Sequence, residues 1–484
     1  MSNDLVKKNT VLNALKSICS LVFPLITFPY ISRMLLADNI GKISFGQSIV
    51  SYFSLAASLG VTTYALKECS RNKGNRRELS KVASEIFSIN MCSTLIAYLV
   101  LIAVLLFCGS LRDYRMLIVI QSSSILFSTL GAEWVNSAME DFKYITIRSI
   151  GFQLISIILM LIFVRRPDDY IVYVVIALLS SSGGNMLNIF YRKRYCDIHF
   201  TVNMNIKKHL LPIVTFFSMI LAQQIYVNSD ITILGLVRGD FEVGLYSTSV
   251  KIYNMINVVI ASVTTVIWPQ IAEAYKNHNQ DDINRLAKYS LNFIMALGLP
   301  CIVGVNVIAK EVILLIAGKE YLKATTSLHI LTIALLFSFI GGWVGNTNFL
   351  PNGKEKICLI ASLCAAITNL VLNLMLIPIW GLNAAALTTA IAEGVSLIVL
   401  FANYDKNMRI VGLIKMLKGP LLGSFLIIVA SMIARLCSSK GIVVCSITVT
   451  LGVFGYFGAL LLVKDEFLLA YIFGFMSKLK RGEK

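Results

Sequence analysis

The chain has 484 residues, 57% of them hydrophobic and only 14% charged, with a formal net charge of +17. A charged content this far below the roughly 25% of soluble domains excludes a soluble globular enzyme. Apolar segments of roughly 20 residues recur along the chain, each long enough for a ~30 Å hydrocarbon core, so the expected fold is an all-α, polytopic membrane protein.

In chain order, hydropathy predicts helices near 12–32, 43–66, 82–108, 116–138, 145–164, 170–190, 211–236, 244–269, 288–309, 326–350, 357–378, 383–403, 418–437 and 441–463. That is fourteen helices, an even number, which puts both termini on one side. The two lysines of "MSNDLVKKNT" precede an apolar run without a small-x-small cleavage site, so this stretch reads as a retained first helix. The longest hydrophilic loop, about 191–210, has room for at most a short surface helix. Pro24 and Pro29 are expected to break the ladder of the first helix, and Pro351 and Pro378 to mark helix ends.

Lys and Arg in and beside alternate loops total 29 on the side of the termini and 12 on the other, which makes the termini cytoplasmic by the positive-inside rule. The basic charge therefore has a topological cause, and no nucleic-acid partner is implied. The sequence also carries an internal echo. "MLLADNIGKISFGQSI" aligns with "LGLVRGDFEVGLYSTSV", placing Gly41 opposite Gly244 at an offset of 203. "SSSGGNMLNIFYRKRY" aligns with "AIAEGVSLIVLFANYD", placing Gly184 opposite Gly394 at an offset of 210. These offsets predict an N-terminal lobe over 1–200, a C-terminal lobe over 201–410, and a helix pair with a cytoplasmic tail over 411–484. Parallel repeats of this kind point to an alternating-access transporter.

Enzyme signatures are missing: the chain has no G-x-x-x-x-G-K-[ST] loop, H-E-x-x-H or G-x-S-x-G. The ten cysteines form no Cys-x-x-Cys pair and read as buried thiols, and no metal or cofactor is expected. His199, His209, His278 and His329 fall mostly in loops or at helix ends, where solvated or hydrogen-bonded roles are the default.

Ionisable residues at membrane depth carry the functional information, since each costs at least ~2.5 kcal/mol at a helix centre unless a cavity or partner receives it. Asp230 and Lys251 lie at matched depth, roughly 10 Å below one surface, on consecutive helices. They read either as a structural salt bridge or as a cation that attracts an anionic cargo and a carboxylate that releases it. Lys251, Asn254 and Asn257 share one helical stripe, suited to a cavity lining or to interhelical hydrogen bonds. Further asparagines at depth are Asn228, Asn346, Asn348, Asn369 and Asn373. Lys16 can snorkel to the cytoplasmic surface or face a cavity, and Arg33 and Arg148 lie nearer interfaces. Glu133, beside Trp134, is expected at the interface, and Glu393 is the deepest carboxylate, a proton carrier or a hydrogen-bonded structural group.

The stretches "NTVLNALKSICSLVFPLITFPYISRMLLADNIGKISFGQSIV", "GAEWVNSAMEDFKYITIRSI", "YVNSDITILGLVRGDFEVGLYSTSVKIYN" and "PNGKEK" resemble Wzx-type polysaccharide flippases. These form the polysaccharide transporter branch of the multidrug, oligosaccharidyl-lipid and polysaccharide exporter superfamily. The resemblance implies movement of undecaprenyl-diphosphate-linked oligosaccharide across the bacterial cytoplasmic (inner) membrane by ion-coupled alternating access around a cationic cavity. The implied products are O-antigen, capsule or another surface glycan. Lys16, Arg33 and Lys251 are then candidate cavity cations, Asn254 and Asn257 candidate linings, and Asp230 and Glu393 coupling or ion-pair candidates. Partners implied are the lipid-linked substrate, membrane lipids, a polysaccharide polymerase and chain-length machinery. A cation-coupled drug or metabolite antiporter of the same fold stands as an alternative, and so does a membrane polymerase or glycosyltransferase.

Overall fold

A computed structural model of the chain describes residues 3–202, 204–404, 408 and 412–463, with side chains left undescribed in parts of 3–22, 207–226 and 259–266 and at 413–414. The expected cytoplasmic tail from 464 onward lies outside the described residues. Among the described residues the secondary structure is helical throughout. The helices are α1 Asn3–Ser58, α2 Val61–Arg71, α3 Arg76–Phe107, α4 Arg115–Gly131, α5 Trp134–Ala138, α6 Phe142–Phe163, α7 Tyr170–Tyr191 and α8 Ile206–Arg238. They continue as α9 Asp240–Lys276, α10 Gln280–Val307, α11 Ala309–Ile316, α12 Thr325–Val344, α13 Glu355–Trp380, α14 Leu382–Ala402, α15 Leu413–Cys437 and α16 Gly441–Leu462. Ten helical spans among the described residues are long and apolar enough to cross a membrane. The chain forms two compact units, Met1–Gly244 and Leu245–Lys484.

The polarity of the helices is inverted relative to a soluble protein. On α3, Leu95, Leu99, Ile102 and Leu106 form an exposed stripe at three- and four-residue spacing, whereas Ser84, Glu85, Ser88, Asn90, Ser93 and Thr94 are buried. An apolar outer face with polar groups turned inward suits a hydrocarbon solvent, which can satisfy no hydrogen bond.

The prolines do not set the break in the first element. Pro24 and Pro29 sit inside α1, and the chain leaves the helical region at Leu36, with φ 65° and ψ 171°, where two helices join. Gly239, between α8 and α9, has φ 88° and ψ 178°. The two joints are 203 residues apart, the same offset that aligns Gly41 with Gly244. That aligned pair also meets within the first unit: a Cβ on Gly41 would overlap the carbonyl of Asp240, and one on Gly244 would overlap the carbonyl of Ala37. Only glycine lets the two backbones approach this closely. Pro378 lies in the last turn of α13, and Pro351 follows a π-helical turn, Gly345–Phe349, that continues α12.

The loop after α7 makes a single 3-10 turn, Arg192–Arg194, in place of a surface helix, and then runs along α3. The amides of Asp197, His199 and Thr201 donate to the hydroxyls of Ser80, Ser84 and Ser88 at 3.0, 3.2 and 2.8 Å. Four helical residues advance about 6 Å and two extended residues about 6.6 Å, so serines at every fourth position meet alternate amides.

Candidate functional site

The fourth predicted helix is interrupted, and the interruption builds the site. α4 stops at Gly131, Ala132 takes a left-handed conformation (φ 48°), and Glu133 caps the short α5. Carbonyls at this helix end need donors from elsewhere. Arg192 Nη1 donates to Leu130 O at 2.7 Å, and Asn188 Nδ2 donates to Gly131 O at 2.8 Å and to Asn136 Oδ1 at 2.8 Å. The break therefore turns Glu133 inward, toward the cavity.

There the carboxylate stands between two cations. Lys16 Nζ donates to Glu133 Oε1 at 3.0 Å, and Arg148 Nη2 donates to Glu133 Oε2. Their environments differ: the side chains of Lys16 and Glu133 are 29% and 31% exposed, that of Arg148 only 3%. Arg148 packs over the Tyr144 ring at 5.2 Å and beneath Gly184, where a Cβ would come within 2.7 Å of its Nε. Nε and Nη1 of Arg148 are buried and have no hydrogen-bond partner among the described residues.

Lys16 and Glu133 open on a cavity of about 560 Å³ inside the first unit. Its wall is rich in hydroxyls and amides: Ser20, Ser54, Ser58, Thr62, Ser128, Thr129, Ser149, Ser180 and Ser181, with Asn90, Gln153 and Asn185. Early residues of α1, α3 and α6 alternate around it with late residues of α4 and α7, as an up-and-down helix bundle requires. The late part of α1, beyond the Leu36 joint, supplies Ser54, Ala57 and Ser58. Behind the wall, Asn90 Nδ2 donates to Ala57 O at 2.8 Å, and Thr94 and Thr129 share a hydrogen bond of 2.9 Å, so the lining is held in place. A volume of this size, with mobile hydroxyls and one ammonium, suits a hydrated polar group carrying negative charge.

The other predicted residues are distributed elsewhere. Arg33 is exposed, and seventeen residues from Lys16 on a helix amounts to about 25 Å, too far for one small ligand to span. Asp230 is buried in α8 of the first unit, close to Thr232, which hydrogen-bonds Tyr52 at 3.2 Å and Ser48 at 3.0 Å. In the second unit Lys251 is half-buried, Asn254 exposed and Asn257 half-buried, so the stripe on α9 is open along its length. Glu393 is half-buried and accepts from Tyr253 Oη at 3.5 Å. Asn369 and Asn373 on α13 are fully buried; Asn373 donates to Asn369 at 2.9 Å and accepts from Thr388 of α14.

Sequence reasoning missed one partnership: Arg148 is the buried member of the charged triad. The hydrogen-bonded role expected among the histidines holds for His209. His209 is completely buried, with Nδ1 2.6 Å from Tyr64 Oη and Nε2 2.8 Å from Glu85 Oε2, tying α8 to α2 and α3. All ten cysteines are free thiols, and burial pushes the Cys196 thiol up to about 11, out of reach of the thiolate form at neutral pH.

With this geometry in view, comparison with known proteins is decisive. The family described as "Polysaccharide biosynthesis protein" matches residues 6–275, more than half of the chain. The chain belongs to this family. The family described as "Lipid II flippase MurJ" matches residues 185–462. Relatives of the chain include the "Putative O-antigen transporter" of Shigella dysenteriae, 23% identical over 82% of this chain and 98% of the relative. "Capsular polysaccharide biosynthesis protein CapF" of Staphylococcus aureus is 22% identical over 82% of this chain and 97% of its own length. The solved structure of "Lipid II flippase MurJ, inward closed conformation" superposes with a TM-score of 0.73 at 16% identity, over 96% of this chain and 99% of that one. That likeness shows the fold, and the Wzx-type resemblance read from the sequence is borne out.

Proposed function

We propose that this polysaccharide biosynthesis protein is a flippase, which moves undecaprenyl-diphosphate-linked oligosaccharide from the cytoplasmic to the outer leaflet for O-antigen, capsule or another surface glycan. The observation that carries the reading is the hydroxyl- and amide-lined cavity inside an apolar helical unit, with Lys16 and Glu133 at its wall and the second cation, Arg148, buried behind them. A diphosphate cannot cross hydrocarbon unaided, and a hydrated groove with excess positive charge lowers that barrier. The same charge excess disfavours the cationic cargo of a drug antiporter.

In this reading the chain crosses the inner membrane fourteen times with both termini cytoplasmic, because α1 counts as two helices joined at Leu36 and α4, α8 and α9 add to the ten spans. Translocation proceeds by ion-coupled alternating access without covalent chemistry. Lys16 receives the anionic group first; Lys251 with Asn254 and Asn257, and the carboxylates Asp230 and Glu393, act later in the cycle. Polymerase and chain-length machinery take up the product. Deleting the gene is expected to abolish the surface polymer and to accumulate the lipid-linked intermediate in the cytoplasmic leaflet. Accumulation in the outer leaflet would assign the chain to polymerisation instead.

A further inference from the structure

Lys16, Glu133 and Arg148 are not equivalent members of one ion-pair network. Arg148 lies behind the cavity wall with its side chain only 3% exposed, and it presents no atom to the lumen. Lys16 and Glu133 both line the lumen, and each is about one-third exposed. An anion entering the cavity therefore meets the Lys16 ammonium already holding a carboxylate oxygen at 3.0 Å, and cannot reach the guanidinium at all. Glu133 has two oxygens and two cations, so it can release Lys16 through Oε1 while Oε2 stays on Arg148. The buried Arg148, locked under Gly184 and over Tyr144, keeps the carboxylate anchored during the exchange.

We propose that Glu133 is an exchangeable counter-ion: it occupies Lys16 in the empty cavity, yields it to a phosphate oxygen of the lipid diphosphate, and reclaims it to expel the cargo. This rests on the flippase reading and adds a release device to it. Arg148 is a positioning residue in this scheme, while Lys16 touches substrate. No covalent step is involved: the Lys16 ammonium exchanges one anionic partner, the Glu133 carboxylate, for a phosphate oxygen, and exchanges back when the carboxylate rebinds.

The test is binding of farnesyl diphosphate to the full-length protein in detergent micelles, paired with export of surface glycan in cells. Glu133→Gln removes the competitor, so its Kd is expected to fall about two- to fivefold below wild type, the scale of a partly exposed ion pair, while export falls. Lys16→Gln is expected to abolish binding in either background. Glu133→Gln leaves Arg148 buried without a counter-charge and can compromise folding. The double variant Glu133→Gln with Arg148→Gln removes both charges, frees Lys16, and is expected to show the same tightening. Unchanged or weaker binding in whichever of these two variants purifies folded, with Lys16→Gln still abolishing it, overturns the counter-ion proposal and leaves the flippase reading intact. Wild-type affinity in Lys16→Gln overturns the cavity as the anion's site, and the proposal with it.

Discussion

Glu133 shows how exposure separates residues of equal charge. Its partner Arg148 is sealed from the cavity, so Glu133→Ala strands a guanidinium in a low-dielectric wall, a loss of about 3–5 kcal/mol. Lys16→Ala leaves Glu133 paired with Arg148 and half-open to water, so its cost is about 1 kcal/mol or less. Thermal unfolding in detergent should therefore rank Glu133→Ala well below Lys16→Ala, while export is lost in both. Equal melting temperatures would mean that the guanidinium is not committed to Glu133. Lys16 was legible in the sequence because a lysine inside an apolar run is costly wherever it falls. Glu133 and Arg148 were legible singly, but their meeting was not, because it depends on a left-handed Ala132, a residue whose side chain gives no hint of that conformation. Only "GAEW", a glycine two residues before a charged residue near a helix end, marks the spot.

At the scale of elements, the joint at Leu36 and the ladder on α3 make opposite predictions. Leu36 adopts a backbone region that is essentially reserved for glycine and costs about 1–3 kcal/mol, and its side chain is 41% exposed, so little packing is lost with it. Leu36→Gly is accordingly expected to raise the melting temperature by the equivalent of about 1 kcal/mol or more. The mirror change, Gly239→Leu, should lower it. On α3, Ser84→Ala removes the acceptor for the His199 amide, and each such loss costs about 1 kcal/mol. Hydrogen exchange should then quicken at 197–201 and not along α3 itself; uniform protection in the variant would count against the ladder. The echo that aligns Gly41 with Gly244 was readable because close helix crossings demand glycine. The serine ladder was not, since serines every four residues look like any tolerant helix face until the extended loop beside them is in view.

At the scale of the whole molecule, long apolar helices expose apolar side chains, and in the first unit hydroxyls and amides line an internal cavity. Hydropathy made the apolar helices legible, because it follows from transfer energies that each residue carries alone. Where the charges would gather was less accessible, since Lys16 and Glu133 are 117 residues apart in the chain and meet only through the bundle. Asp230 and Lys251, the pair most conspicuous in the sequence, belong to different compact units, and the charged cavity wall is built by other residues.

The central claim is that Lys16 carries a lipid diphosphate through a protein that moves it between leaflets. The most direct measurement is leaflet exchange of a fluorescent undecaprenyl-diphosphate sugar in vesicles containing the purified full-length chain, wild type against Lys16→Ala, under an imposed ion gradient. The account predicts exchange by wild type and none above protein-free vesicles for Lys16→Ala, although that variant remains folded. Equal exchange by the two proteins would contradict it.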